Sequence, residues 1–289
     1  MIEWLDTLIQ GTLLGGLYAL FAVGLSITYG VMRIVNIAHG DFIVLASYIT
    51  LPVVGLFGMH PFLAMPIVVV VLAVIGYLLQ TSLLNRTLGS DLLAPLLVTF
   101  GLSIVIQNGL LQLFSADSRA IQIGELQIAS LQLGAGLAIG WFPLIVFLVA
   151  LVLTAAVAAL FSHTRLGMSL RATSDDPNTA GLMGIRAKHV YAVALSLAFA
   201  LVAVGGVFSG IRTTFTPSTG PVSLLYAFEA VVIGGLGSLW GTFVGAVILG
   251  IAQAVGSKLD SGYGILAGHA VFLLVLVFRP QGLLPRTRG

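Results

Sequence analysis

Residue types able to do chemistry are sparse in this chain, and most of them stand alone. His39, His60, His163, His189 and His269 are scattered, with no HExxH and no His-plus-carboxylate spacing along one helix face, so no metal site is expected. Serine is plentiful, yet no GxSxG elbow is present to expose a nucleophile. No GxxxxGK[ST] loop exists to cradle ATP phosphates, since neither Lys188 nor Lys258 follows a glycine. No catalytic residue is assigned. What remains is chemistry of recognition, gating and docking, and three places carry it.

The first is residues 29–41, YGVMRIVNIAHGD, where Asn36, His39 and Asp41 follow Arg33 with small Ala38 and Gly40 between them. They read either as a capped turn, with Asn36 or Asp41 as N-cap and Gly40 as turn residue, or as a gate where irregular backbone borders a pathway. The second is Glu229, the one acidic residue deep inside an apolar run, LLYAFEAVVIGG. An ionisable group there lines a pathway or pairs internally; the competing reading places it in the first turn of a short helix, favoured by the dipole and opposite Arg212. The third is residues 163–189, HTRLGMSLRATSDDPNTAGLMGIRAKH, a cationic polar stretch between long apolar blocks. Asp176 and Pro177 give an N-cap and a proline at the first helical position. Ala180, Met183, Gly184 and Ala187 then recur at helical spacing, which predicts a short amphipathic helix at an aqueous face.

The elements that must position these groups are membrane helices. Of 289 residues, 58% are hydrophobic and only 8% charged, against about 25% charged in soluble domains, and mean hydropathy is +1.12. The chain is therefore expected to be an all-α polytopic membrane protein with a single domain over residues 1–289. Transmembrane strands would instead show about ten residues of alternating polarity. Eight apolar segments stand near residues 8–30, 42–58, 62–85, 92–114, 141–162, 190–211, 225–254 and 265–279. The second, interrupted by Pro52, Gly55 and Gly58, is short and reads as tilted or re-entrant. The opening residues carry Glu3 and Asp6 without Lys or Arg, so they lack the basic region of a signal peptide and are expected to be retained.

Arg33, Arg86, the 163–189 loop and the C-terminal Arg279, Arg286 and Arg288 hold the positive charge, and the net charge of +2 reflects topology rather than nucleic acid. An outside N-terminus puts the first three inside. The C-terminal arginines join them only if residues 225–254 cross as two short helices broken at Gly234, Gly235, Gly237 and Ser238, which is the reading favoured. Gly11 and Gly15, Gly237 and Gly241, and Gly241 and Gly245 lie four apart, a spacing that lets helix backbones approach. Residues 15–45 and 225–255 also share a glycine-rich helix followed by a polar break, as an inverted repeat would.

Three stretches together resemble a known family: residues 16–48, GLYALFAVGLSITYGVMRIVNIAHGDFIVLASY; residues 171–185, RATSDDPNTAGLMGI; and residues 230–250, AVVIGGLGSLWGTFVGAVILG. They resemble the inner-membrane permeases of branched-chain amino acid ABC transporters, the LIV-H type rather than its LIV-M paralogue. The resemblance implies a non-catalytic transport subunit of a bacterial inner membrane, translocating branched-chain or other amino acids delivered by a periplasmic binding protein. It implies a homologous second permease, forming a heterodimer, and two cytoplasmic ATPase subunits that bind the ATP and magnesium. The family's Ala-xxx-Gly core matches Ala180 and Gly184, so residues 176–185 would be the ATPase-coupling helix. Asp176 and Pro177 start it, and Leu182, Met183 and Ile185 would make the contact. At Glu229 the chain departs from the small or neutral residue usual in the family. Relatives of this kind also move urea and short amides. An ion-coupled secondary transporter is the rival outside the family, but it would carry more intramembrane acids than Glu229 alone. A membrane enzyme would need a nucleophile, base or metal that nothing here supplies.

Overall fold

In the computed structural model, residues 2–88, 93–134 and 137–285 are described; Arg286 and Arg288 lie outside them. Chain inside hydrocarbon must satisfy its backbone polar groups internally, and these apolar runs do so as helices. The first, α1 (Ile2–Met32), is 31 residues long and buried on every side over residues 15–28. It is the central helix of the bundle. Then come α2 (His39–Phe57), α3 (Pro61–Ser82), α4 (Leu93–Phe114) and α5 (Trp141–His163). Two polar helices follow, α6 (Arg165–Asp175) and α7 (Pro177–Leu182), and after them α8 (Ala187–Arg212), α9 (Gly220–Gly234), α10 (Leu239–Leu259) and α11 (Tyr263–Phe278). Among the described residues seven helices are long and apolar enough to cross a membrane, and α9 and α11 are shorter apolar helices. The break expected within 225–254 is real: residues 235–238 separate α9 from α10, with Gly235 and Gly237 at positive φ. Among the described residues the extended structure is a small antiparallel hairpin, β1 (Ser130–Gly134) with β2 (Leu137–Gly140), and an isolated bridge between Arg119 and Phe215.

Glycine lets two pairs of long helices lie in close contact. A Cβ added to Gly11 would stand 2.7 Å from Cα of Ile251, and one added to Gly15 would stand 2.5 Å from Cα of Val247, so α1 and α10 run antiparallel along one another. Gly76 does the same for α3 against Phe199 of α8, at 3.0 Å. Between these pairs α1 crosses α8, again antiparallel, with Gly24 against Ala198 and Gly205 against Leu20. Thus α1–α3 and α8–α10 occupy equivalent places in opposite directions. This corrects the repeat expected between residues 15–45 and 225–255: the partner of the α1–α2 unit begins at α8, not at α9.

The starts of α2 and α9 are the unusual feature. His39, the first residue of α2, places its Nε2 2.8 Å from the carbonyl oxygen of Phe21. Phe21 is eleven residues before the end of α1, about 16 Å at 1.5 Å per residue. After α1 the chain therefore turns back into the bundle before α2 begins. There Gly40 meets Gly220, the first residue of α9, so the two helices touch N-terminus to N-terminus. The next turn of α2, at Ile43 and Ala46, packs on Gly206 of α8.

The basic segments share one face. Arg33, Arg171 of α6 and the C-terminal segment at Pro280, Gln281 and Pro285 line a single cavity of about 1330 Å³. Asn85, beside Arg86, donates to the carbonyl of Lys188 at 3.3 Å. The C-terminal segment is held there by Leu283 and Leu284, whose amides donate to Ile233 and Gly234.

Candidate functional site

At the helix junction, irregular backbone lies deep inside the bundle and can persist only where protein satisfies it. Asn36 does much of this: its Oδ1 accepts from the amide of Ala38 at 3.0 Å and its carbonyl from the amide of His39 at 3.1 Å. Thr99 of α4 accepts from the amide of Ile37 at 3.2 Å. Asn36, His39 and Asp41 are all buried. Asp41 stands in the first turn of α2 and against Gly220 at the start of α9, so its carboxyl group faces the positive ends of two helix dipoles. Its Oδ1 also accepts from Nε2 of Gln107 on α4, at 2.9 Å. Asp41→Asn removes that charge and should cost about 1–2 kcal/mol. A melting temperature lower by about 3–6 °C in detergent is expected, and an unchanged value would show that the dipoles contribute nothing here.

Glu229 is the tenth residue of α9, beyond the first turn, and its partner is His269 of α11 rather than Arg212. The side chain of Glu229 is 1% exposed and that of His269 32%. A hydrogen bond joins His269 Nδ1 to Glu229 Oε1. Around the pair, Tyr18 Oη donates to Gln253 Oε1 at 2.5 Å, and the rings of Tyr18 and Tyr226 lie 4.9 Å apart. His269, Tyr18, Gln253 and Gln107 went unnoticed as site residues in the sequence. Each joins its partner across helices, Tyr18 and Gln253 being 235 positions apart, so no local spacing could flag them.

The polar loop is two helices, not one. α6 was not expected, and α7 is only six residues, ending at Leu182. Met183 caps it, Gly184 takes φ +82°, and the amide of Ile185 returns to the carbonyl of Ala180. Asp176 is the N-cap, accepting from the amides of Asn178 and Thr179 and from the Thr179 hydroxyl, with Pro177 at N1 as expected. Ala180 is buried, while Leu182 and Met183 project at 88% and 81% exposure. Ile185 differs from expectation: it packs back on the bundle core and is not part of the projecting tip.

The hydroxyl of Thr179, and then the backbone amides, hold the Asp176 carboxyl below its ordinary value of 3.8. A lowered native value means that the cap is fully present above that ordinary value and is lost as pH falls through the native one. At neutral pH the ionised cap is in place, so Asp176→Ala should speed exchange of the Asn178 and Thr179 amides several-fold. Equal rates in the two proteins would remove the cap from the account.

Of the glycines, Gly11 and Gly15 face α10, and Gly245 packs a Cβ position 2.6 Å from the amide nitrogen of Gly234. Gly241 approaches Leu284 O at 2.8 Å. Gly237 is a correction: it lies in the turn before α10, so it shares no helix face with Gly241, and it abuts Gly30 of α1 instead.

A bundle with inverted halves, helices that start inside it and a capped polar helix displayed outside it belongs to the class of polytopic membrane transport subunits. Residues 7–278 match the family described as branched-chain amino acid transport system / permease component, and the chain belongs to that family. It is 29% identical to the high-affinity branched-chain amino acid transport system permease protein BraD of Pseudomonas aeruginosa, over 98% of this chain and 96% of the relative. It is 28% identical to the permease LivH of Escherichia coli (99% and 96%) and 23% identical to its LivM (94% and 68%). Among solved structures, PsaBC from Streptococcus pneumoniae in complex with Fab is similar in fold alone, with TM-score 0.52, 16% identity and 97% of both chains covered.

Proposed function

We propose that this chain is one permease of an ATP-driven importer of branched-chain or related amino acids. It would pair with a homologous second permease, two ATPase subunits that bind ATP and magnesium, and a periplasmic binding protein. The observation that carries this reading is α7: an N-capped helix outside the bundle whose apolar tip, Leu182 and Met183, is left uncovered by the described residues. Two such side chains left in water forgo about 1.5–3 kcal/mol each, which a partner's cleft would recover. The chain also lacks a phosphate-cradling loop, so nucleotide chemistry has to come from that partner. The positive-inside rule would make the face shared by Arg33, Arg171 and Arg279 the cytoplasmic one, with the N-terminus outside and the C-terminus inside a bacterial inner membrane.

In operation, closure of the ATPase pair drives α7 against the ends of the bundle and switches the pathway between outward and inward access. The test is reconstitution with the subunits encoded beside it, followed by leucine uptake with and without ATP. Competition by leucine, an aromatic amino acid and urea distinguishes the amino-acid reading from a urea or amide permease. ATP-independent uptake driven by an ion gradient would overturn it.

A further inference from the structure

His269 poses a problem that the isolated chain does not solve. It lies six residues into α11, about 9 Å along the helix, and its side chain is one-third open on a helix whose exposed residues from Ile265 onward are otherwise apolar. A polar, ionisable side chain at that depth does not face lipid tails; it faces protein or water. The same spot holds buried groups that lack a partner. Glu229 Oε2 and Gln253 Nε2 make no hydrogen bond among the described residues, although both side chains belong to buried residues. Each unpaired group of this kind costs about 1–3 kcal/mol, and more when charged. The missing donor for a carboxylate oxygen is most effective when it is itself cationic.

We infer that the side of α11 carrying Ile265, His269 and Leu276 lines the water-filled pathway, and that Glu229 behind His269 is a subsite for a primary ammonium group. The sidedness follows from helix geometry. At 100° per residue Ile265, His269 and Leu276 fall within about 40° of one another, whereas Leu274 lies about 140° from His269, toward hydrocarbon. His269 covers the carboxyl group at rest. A passing ammonium group takes its place on Glu229, and the imidazole turns into the space at its open edge. The inference rests on the proposed import of amino acids for its ligand, but not for its wall.

The chain contains no cysteine, so each introduced thiol is the single one of this subunit in the reconstituted transporter, and labelling is read on this subunit. The Ile265→Cys and Leu276→Cys thiols should react with a membrane-impermeant trimethylammonium thiosulfonate, and the Leu274→Cys thiol should not. Both kinds of position are exposed in the single chain, so failure to label the first two, or labelling of all three, overturns the wall. Relative to a free thiol, the Ile265→Cys site should favour the cationic reagent over its sulfonate counterpart by about fivefold. Glu229→Gln should abolish that preference, and Glu229→Asp should keep it. Leucine applied directly at millimolar concentration should slow labelling, and 4-methylpentanoate, which lacks only the amine, should not. Slowing by both or by neither overturns the ammonium subsite. Should uptake show the cargo to be something other than an amino acid, the proposed function falls while the labelling pattern still decides the wall.

Discussion

Leu182→Asp is expected to abolish ATP-coupled uptake while leaving the permease inserted and folded. Leu182 closes α7 and is 88% exposed, with Met183 beside it at 81%. Among the described residues it is almost fully open, so a carboxylate at that point meets water and the fold is expected to lose little. Docked in an apolar cleft, the same carboxylate forfeits the leucine's burial, about 1.5–3 kcal/mol, and must also shed its hydration without a partner. A loss of about 3 kcal/mol or more follows, two orders of magnitude in docking affinity at about 1.4 kcal/mol per tenfold. Pull-down of the proposed ATPase subunit and uptake into vesicles should fall together, with unchanged permease in the membrane fraction. Ile185→Asp should behave differently and lower the amount of folded permease, because Ile185 packs against the core. Normal uptake by the Leu182 variant would remove α7 from the coupling step.

How much of this could be seen in the sequence depended on whether a signal was local. The long helices announce themselves because hydrophobic residues run without interruption, and the α9–α10 break was legible because Gly234, Gly235, Gly237 and Ser238 fall together. The cap of α7 was legible for the same reason, since Asp176, Pro177 and Thr179 are neighbours in the chain. Depth was not. Residues 29–41 read in the sequence as a capped turn or as a gate, and the contact of His39 with Phe21 shows that the chain there folds back into the bundle. Glu229 stood out as a lone acid, but its partner is 40 positions away on another helix, and His269 sits in an unremarkable apolar run. α6 was hidden because Gly167, Ser169 and Arg171 interrupt its apolar residues, although Thr164 caps it and Leu170 is buried. The inverted halves were glimpsed at the wrong offset, since glycine content marks close approach wherever it occurs and does not say which helix is approached.

The second large effect is expected at Gly40, where α2 and α9 meet. A Cβ there would lie 2.7 Å from the amide nitrogen of Leu224 and 2.9 Å from the carbonyl carbon of Gly220. Both are backbone atoms, so no side chain can swing aside. On the other side of the contact, Gly220 faces Asp41, whose carboxyl group a Cβ would displace. Gly40→Val must therefore part the two helix starts, at the upper end of or beyond the 1–3 kcal/mol usual for overpacking. Separation would also carry Asp41 away from Gln107 and so loosen α4, which otherwise meets the bundle chiefly through α2. We expect little folded permease, with a broad, aggregated profile in size-exclusion chromatography. Gly101→Val on α4 is the control, since a Cβ there meets nothing within 4 Å, and it should leave that profile intact. A folded Gly40→Val protein with normal stability would mean that the helix starts are free to separate, and that the junction of α2 and α9 is a movable gate rather than the fixed point of the bundle.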